Sequence, residues 1–224
     1  MENSWPIFMQ RRGIIVVANY QMIDEAKWSR ALHCHIFKNF DNPLYCITAE
    51  LDVTTFLKKV RNLNIRFTFG MIYVVAKCAN DIEEFRYRFL DGRVVLFDHI
   101  NTAFTYIDKG AELFKVVNVE LKDTLEEYVS EAERAAISQK EYFTGPSGND
   151  VFQFSPIPWV SYTQMSHTFS GKKEDACPLF NWGKYFERDG RFLLPFSVQV
   201  HHSFVDGLHI GKLIEKLQSA LNEE

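Results

Sequence analysis

Residues 196–221 change their hydrophobic period abruptly, and that change limits the folds open to the chain. In FSVQVHH (196–202), Phe196, Val198, Val200 and His202 fall on one face of an extended strand. Ser197, Gln199 and His201 fall on the other. Further on, Ile210, Leu213, Ile214, Leu217 and Leu221 follow a helical stripe. Gly207 permits the sharp turn between the two periods. A strand therefore runs straight into an amphipathic helix.

The rest of the chain mixes the two periods without regular β-α-β alternation. LYCITAELD (44–52) alternates as a half-buried strand, and Asp52 or Thr54 can cap a helix running to about Leu63. Residues 69–82 carry a helical stripe, and Phe85 to Phe97 reads as a hairpin about Asp91–Gly92. TAFTYI and LFKVVNVEL form a further strand pair around Asp108–Lys109–Gly110, and residues 121–140 form a helix. A turn-rich loop follows at 145–150. Asp189–Gly190 turns a hairpin between Pro178–Glu187 and Arg191–His202. Pro156 and Pro158 limit the ladder bonds of their own segment. The pattern predicts an α+β fold with a mainly antiparallel or mixed sheet flanked by helices. With no repeat or linker, residues 1–224 read as one domain, of which 1–20 form an N-terminal extension.

Composition removes several classes of function. The formal net charge is −4, so nucleic-acid binding is not expected. No apolar run reaches the ~20 residues of a membrane helix. Ile14 to Ala18 is too short for a signal-peptide core, so a cytoplasmic protein is expected. Cys34, Cys46, Cys78 and Cys177 lack zinc-site spacing and read as reduced, buried thiols. No metal is expected. Twenty Phe residues are first of all core, with pockets and interfaces as the other use.

His202 closes an apolar stripe at a strand-to-helix junction, where poor solvation favours neutral imidazole, the form a general base needs. On the residues alone, a satisfied core histidine fits at least as well. A metal site at the His201–His202 pair is disfavoured, because strand alternation points the rings apart.

H-H-x-x-x-D-G ahead of an amphipathic helix resembles the signature of the chloramphenicol acetyltransferases. The resemblance extends through PFSVQVHHSFVDGLHIGKLIEKLQ, SPIPWVSYT (155–163), GKYFERDGRFLLP (183–195) and EFRYRFLDGRVVLFD (84–98). ITAELDVTTFLKKV (47–60) and Trp28-Ser29-Arg30 match in register. It covers about residues 24–220 and is weakest over 110–150. Lipoyl-dependent acyltransferases carry a relative of the short motif on the same fold. The resemblance implies a CoA-dependent acyltransferase fold and a homotrimer with active sites at subunit interfaces. It also implies direct transfer from acetyl-CoA to a hydroxyl of a small-molecule acceptor, with no acyl-enzyme.

By that resemblance His202 is the base and Ser155 donates to the oxyanion. Asp206 pairs with Arg30 to shape the loop, and a helix cap is the plainer reading of Asp206. Phe37, Tyr45, Phe104 and Tyr106 fall in the acceptor pocket, and Lys184 and Tyr185 at the nucleotide end of CoA. Each of these six is otherwise ordinary packing or surface.

Two positions depart from the family. Asn181 stands where a threonine usually helps hold an ordered water, and His167 stands where an apolar pocket residue is expected. Chloramphenicol is the leading acceptor. The alternatives are another hydroxyl compound, a non-catalytic trimeric binding paralogue, and a lipoyl-dependent acyltransferase core. The last is expected to come with a lipoyl domain and linker, neither of which is read in these residues.

Overall fold

The computed structural model describes residues 20–144 and 148–223. The expected N-terminal extension lies outside them except for Tyr20, as do residues 145–147 of the turn-rich loop. The described elements are β1 (Tyr20–Met22), α1 (Ala31–Lys38), β2 (Leu44–Asp52), α2 (Thr54–Asn62) and α3 (Phe67–Asn80). A 3₁₀ turn at Glu83–Phe85 leads to β3 (Tyr87–Leu90), β4 (Arg93–Phe97), β5 (Asn101–Tyr106) and β6 (Lys115–Val119). Then come α4 (Leu125–Ser138), β7 (Val151–Phe154), β8 (Leu179–Trp182), β9 (Phe186–Arg188), β10 (Arg191–His201) and α5 (Gly207–Asn222). The fold is α+β.

The larger sheet runs β2-β10-β8-β7-β5-β6, and β9 also pairs with β10. It is mixed: β7 runs parallel to both β5 and β8, and the other pairs are antiparallel. The smaller sheet, β1-β4-β3, is antiparallel. Both Asp-Gly hairpins form as their sequences require. Asp91 and Gly92 have φ of 50° and 76°, and Asp189 and Gly190 of 51° and 75°, the left-handed pairs of a tight two-residue turn.

The apolar face of β10 (Leu194, Phe196, Val198, Val200) joins Ile72 and Val75 of α3 and Leu213 and Leu217 of α5 in one core. The opposite face is polar and also buried, and carries Ser197, Gln199 and His201. Ser197 Oγ meets Thr48 Oγ1 at 2.7 Å, and Gln199 Oε1 accepts from the His167 amide at 3.1 Å. His201 Nε2 lies 2.8 Å from the Lys173 carbonyl oxygen. The 164–175 loop therefore lies over this face, and hydrogen bonding makes the burial tolerable. Of the thiols, Cys34 and Cys78 are buried and Cys46 and Cys177 are half-buried.

The expected arm Pro178–Glu187 is broken into β8 and β9. At the break, a Cβ on Gly183 would lie 2.6 Å from the Val160 carbonyl oxygen and 3.0 Å from side-chain atoms of Pro195 and Tyr162. The 157–162 segment crosses here and takes over the backbone bonds, Ile157 N–H to Trp182 O and Lys184 N–H to Val160 O, each at 2.8 Å. Gly183→Ala must push that segment away. The expected cost is about 1–3 kcal/mol, checked as a lower urea midpoint at unchanged slope.

Candidate active site

The strand ends at His201, one residue earlier than the alternation predicts, and residues 202–204 turn. The His202 amide donates to the Pro43 carbonyl at 2.9 Å. Arg30, just ahead of α1, grips the turn from the other side. Its Nε donates to Ser203 O at 2.8 Å and its Nη2 to His202 O at 3.2 Å. The same guanidinium holds Asp206 bidentately at 2.6 and 2.7 Å. Those bonds hold the Asp206 carboxyl below its usual range. The stability this adds is present above the ordinary carboxylate range and is lost as pH falls through the lowered value.

The His202 imidazole stacks on Phe37, with centroids 3.9 Å apart at 16°, and lies 4.6 Å from the Tyr45 ring. Its Nδ1 is buried 3.2 Å from Asp206 Oδ1, without the alignment of a hydrogen bond. The side chain is still 36% exposed, so His202 is better solvated in a single chain than its place in the stripe predicts. The Tyr45 hydroxyl donates to Val205 O at 3.2 Å, and burial pushes its pKa up to about 12, so it stays a donor.

His201 is the desolvated member of the pair. Burial pulls its pKa down to about 4, against the Lys173 bond, which acts the other way. Its Nδ1 accepts from the Ser203 amide at 3.1 Å, so Nε2 carries the proton and donates to Lys173. With both nitrogens engaged, it has no free lone pair for a substrate. The two rings use separate partners, and no group of three or more His, Cys, Asp or Glu is placed to hold a metal ion among the described residues.

Ser155 follows β7 and lines two cavities. One, of about 300 Å³, also has Arg66, Thr105, Tyr106 and Trp159 in its wall. The other, of about 200 Å³, has Phe104, Phe143, Gln153 and His167 in its wall. Neither includes His202, Phe37 or Tyr45. The expected site residues thus fall into two groups on one chain, a base with Phe37 and Tyr45 and a Ser155 wall with Phe104, Tyr106 and His167. The Tyr106 hydroxyl accepts from Arg66 at 3.2 Å. His167 Nε2 is buried and unpaired among the described residues.

Lys184 is exposed just past Gly183, and Tyr185 packs against Phe67 and Phe192, each with centroids 5.8 Å away. Asn181 is fully buried opposite Ser197, and neither of its amide atoms has a partner among the described residues. Sequence reasoning missed His209. It sits three residues after Asp206, the spacing at which a side chain reaches back to a helix cap, and its Nδ1 accepts from the Asp206 amide at 2.9 Å.

The chain is similar to known proteins over most of its length. Residues 18–218 match the profile of the family described as chloramphenicol acetyltransferase. The chain is 29% identical to the chloramphenicol acetyltransferase of Proteus mirabilis, covering 96% of this chain and 97% of that protein. It is 30% identical to the one from Clostridium butyricum, over 89% and 94%. A solved chloramphenicol acetyltransferase superposes with a TM-score of 0.83 at 28% identity, over 91% of this chain and all of the other. A probable dihydrolipoamide acetyltransferase from Listeria monocytogenes shares the fold, with a TM-score of 0.64 at 15% identity over 89% and 92%.

Proposed function

Because this chain belongs to the chloramphenicol acetyltransferase family, and is thereby an acyltransferase, we propose that it moves acetyl from acetyl-CoA to a hydroxyl of a small acceptor. Chloramphenicol is the leading candidate. We place it in the cytoplasm as a single domain over 1–224. The observation that carries the reading is the Arg30–Asp206 clamp, which fixes the turn bearing His202 while leaving part of the imidazole accessible.

In this reading His202 Nε2 accepts the acceptor's hydroxyl proton as its oxygen attacks the thioester carbonyl. Ser155 Oγ donates to the oxyanion of the tetrahedral intermediate. That intermediate collapses by breaking the C–S bond, and the departing sulfur takes the proton back from His202, leaving the acetyl ester and free CoA. Asn181 contributes a buried amide beside this region, in the role given to the family's threonine. Lys184 and Tyr185 serve the nucleotide end of CoA, by phosphate attraction and stacking.

The separation of His202 from the Ser155 cavities supports a homotrimer in which one subunit's base faces its neighbour's Ser155 wall. Exposed apolar side chains support the same assembly, among them Leu32, Ile36 and Trp159. Light scattering should report three chains per particle.

A second reading keeps the chemistry and changes the acceptor. It is favoured by the unpaired His167 Nε2 in a wall otherwise rich in Phe. An apolar ligand segment set against that nitrogen loses about 1–3 kcal/mol. His167→Leu should therefore lower the KM for chloramphenicol about tenfold with kcat little changed. An acetyl-CoA thiol-release assay against chloramphenicol and a panel of alcohols tests both readings. No thiol release with any acceptor in the panel would favour the binding paralogue.

A further inference from the structure

The turn that carries His202 is held by two side chains, Arg30 and His209. Arg30 holds the His202 and Ser203 carbonyls and the Asp206 carboxylate. His209, in the first turn of α5, accepts the Asp206 amide on Nδ1 at 2.9 Å. An imidazole that accepts on Nδ1 and stays neutral carries its proton on Nε2. That nitrogen lies 3.3 Å from Glu84 Oε1. Glu84 belongs to the 3₁₀ turn ahead of β3, where the Tyr87 hydroxyl donates to the neighbouring Glu83. His209 is buried, and burial pulls its pKa below the ordinary value, in keeping with the neutral form.

We propose that His209 is a positioning residue for the His202 turn, with Glu84 fixing the tautomer in which Nδ1 receives the Asp206 amide. This rests on the reading of His202 as the base. A carboxylate beside the far nitrogen of a histidine favours the tautomer that carries its proton on that nitrogen, and so leaves the near nitrogen to accept. A cavity of about 300 Å³ adjoins the His209 ring, lined also by Arg30, His33, Glu84 and Tyr87. Small displacements of a base are costly to rate, and a misplacement of about 1 Å can cost about a hundredfold.

The test uses the full chain with His209→Leu and His209→Asn. Leucine removes the acceptor at similar volume, whereas the Asn Oδ1 stands near the position of Nδ1 and can take the Asp206 amide. His209→Leu should lower kcat about tenfold with the KM of either substrate changed less than twofold. Amide exchange across 202–207 should rise in the same variant. His209→Asn should restore kcat to within threefold of wild type and slow the exchange again. Glu84→Leu, on a part-exposed side chain that the fold can spare, should show the Leu signature at about a third of its size. The proposal is overturned if exchange across 202–207 is unchanged in His209→Leu, or if the Asn variant falls as far as the Leu variant. It is also overturned if Glu84→Leu is silent in a case where His209→Leu does not fold. A wild type that acetylates nothing in the panel would sink the base reading instead, while the exchange measurements would still decide the role of His209.

Discussion

His202→Ala should lower kcat by about 10²–10⁴-fold, the usual contribution of a general base, with the oligomer and its melting temperature retained. The substitution removes a ring that is one-third exposed and stacked on Phe37, and it leaves no buried charge behind. The clamp beneath it survives, because Arg30 bonds to the His202 backbone oxygen and to Asp206, and touches no atom of the imidazole by hydrogen bond. His201→Ala should give the reverse pattern. Its ring is buried with both nitrogens bonded, to Lys173 and Ser203, so the loss falls on stability. Steady-state kinetics beside thermal melts separate the two. A His202→Ala enzyme with wild-type turnover would remove the centre of the mechanism.

The second large effect is expected at Ser155. Ser155→Ala should cost about 10²–10³-fold in kcat, the range for a single oxyanion donor, with a small change in KM. Its side chain has no hydrogen bond of its own among the described residues to be lost with it, and it lines a cavity wall rather than the core. The two variants together test assembly. Each alone is nearly dead, but trimers mixed from His202→Ala and Ser155→Ala chains should recover part of the activity. Some of their interfaces would pair an intact base with an intact donor. Mixed trimers no better than either parent would defeat the shared-site reading.

Local chemistry was the most readable part of the sequence. The Asp-Gly turns, the LYCITAELD strand and the stripe on α5 each follow from a few neighbouring residues, and they stand where expected. The failures are tertiary. The polar face of β10 reads as solvent-facing, but the 164–175 loop covers it, and nothing within Ser197–His201 announces a loop 30 residues upstream. Arg88 alternates as an outward strand residue, yet it is fully buried and donates to the carbonyls of Phe85, Tyr87, Asn149 and Val151. No charge pattern in the sequence reveals four backbone acceptors. The β8–β9 break depended on a crossing segment that only the fold brings to Gly183. At the site, Arg30 and Asp206 could be paired through the family resemblance. His209 was legible in principle from its spacing to Asp206, but a histidine in place of the usual Glu or Gln hid the reciprocal cap.

Arg30 and Asp206 are 176 positions apart in the chain. A bond spanning that separation brings a large loop-closure entropy to its formation and cannot nucleate early. The turn beneath His202 therefore lacks its grip from Arg30 until the start of the first helix has met the start of the last. Helices and hairpins can be complete while the His202 ring is still unaimed. On dilution from denaturant, the recovery of helical signal should run ahead of the recovery of turnover. Newly made chains share the same order of events, since Asp206 leaves the ribosome 176 residues after Arg30.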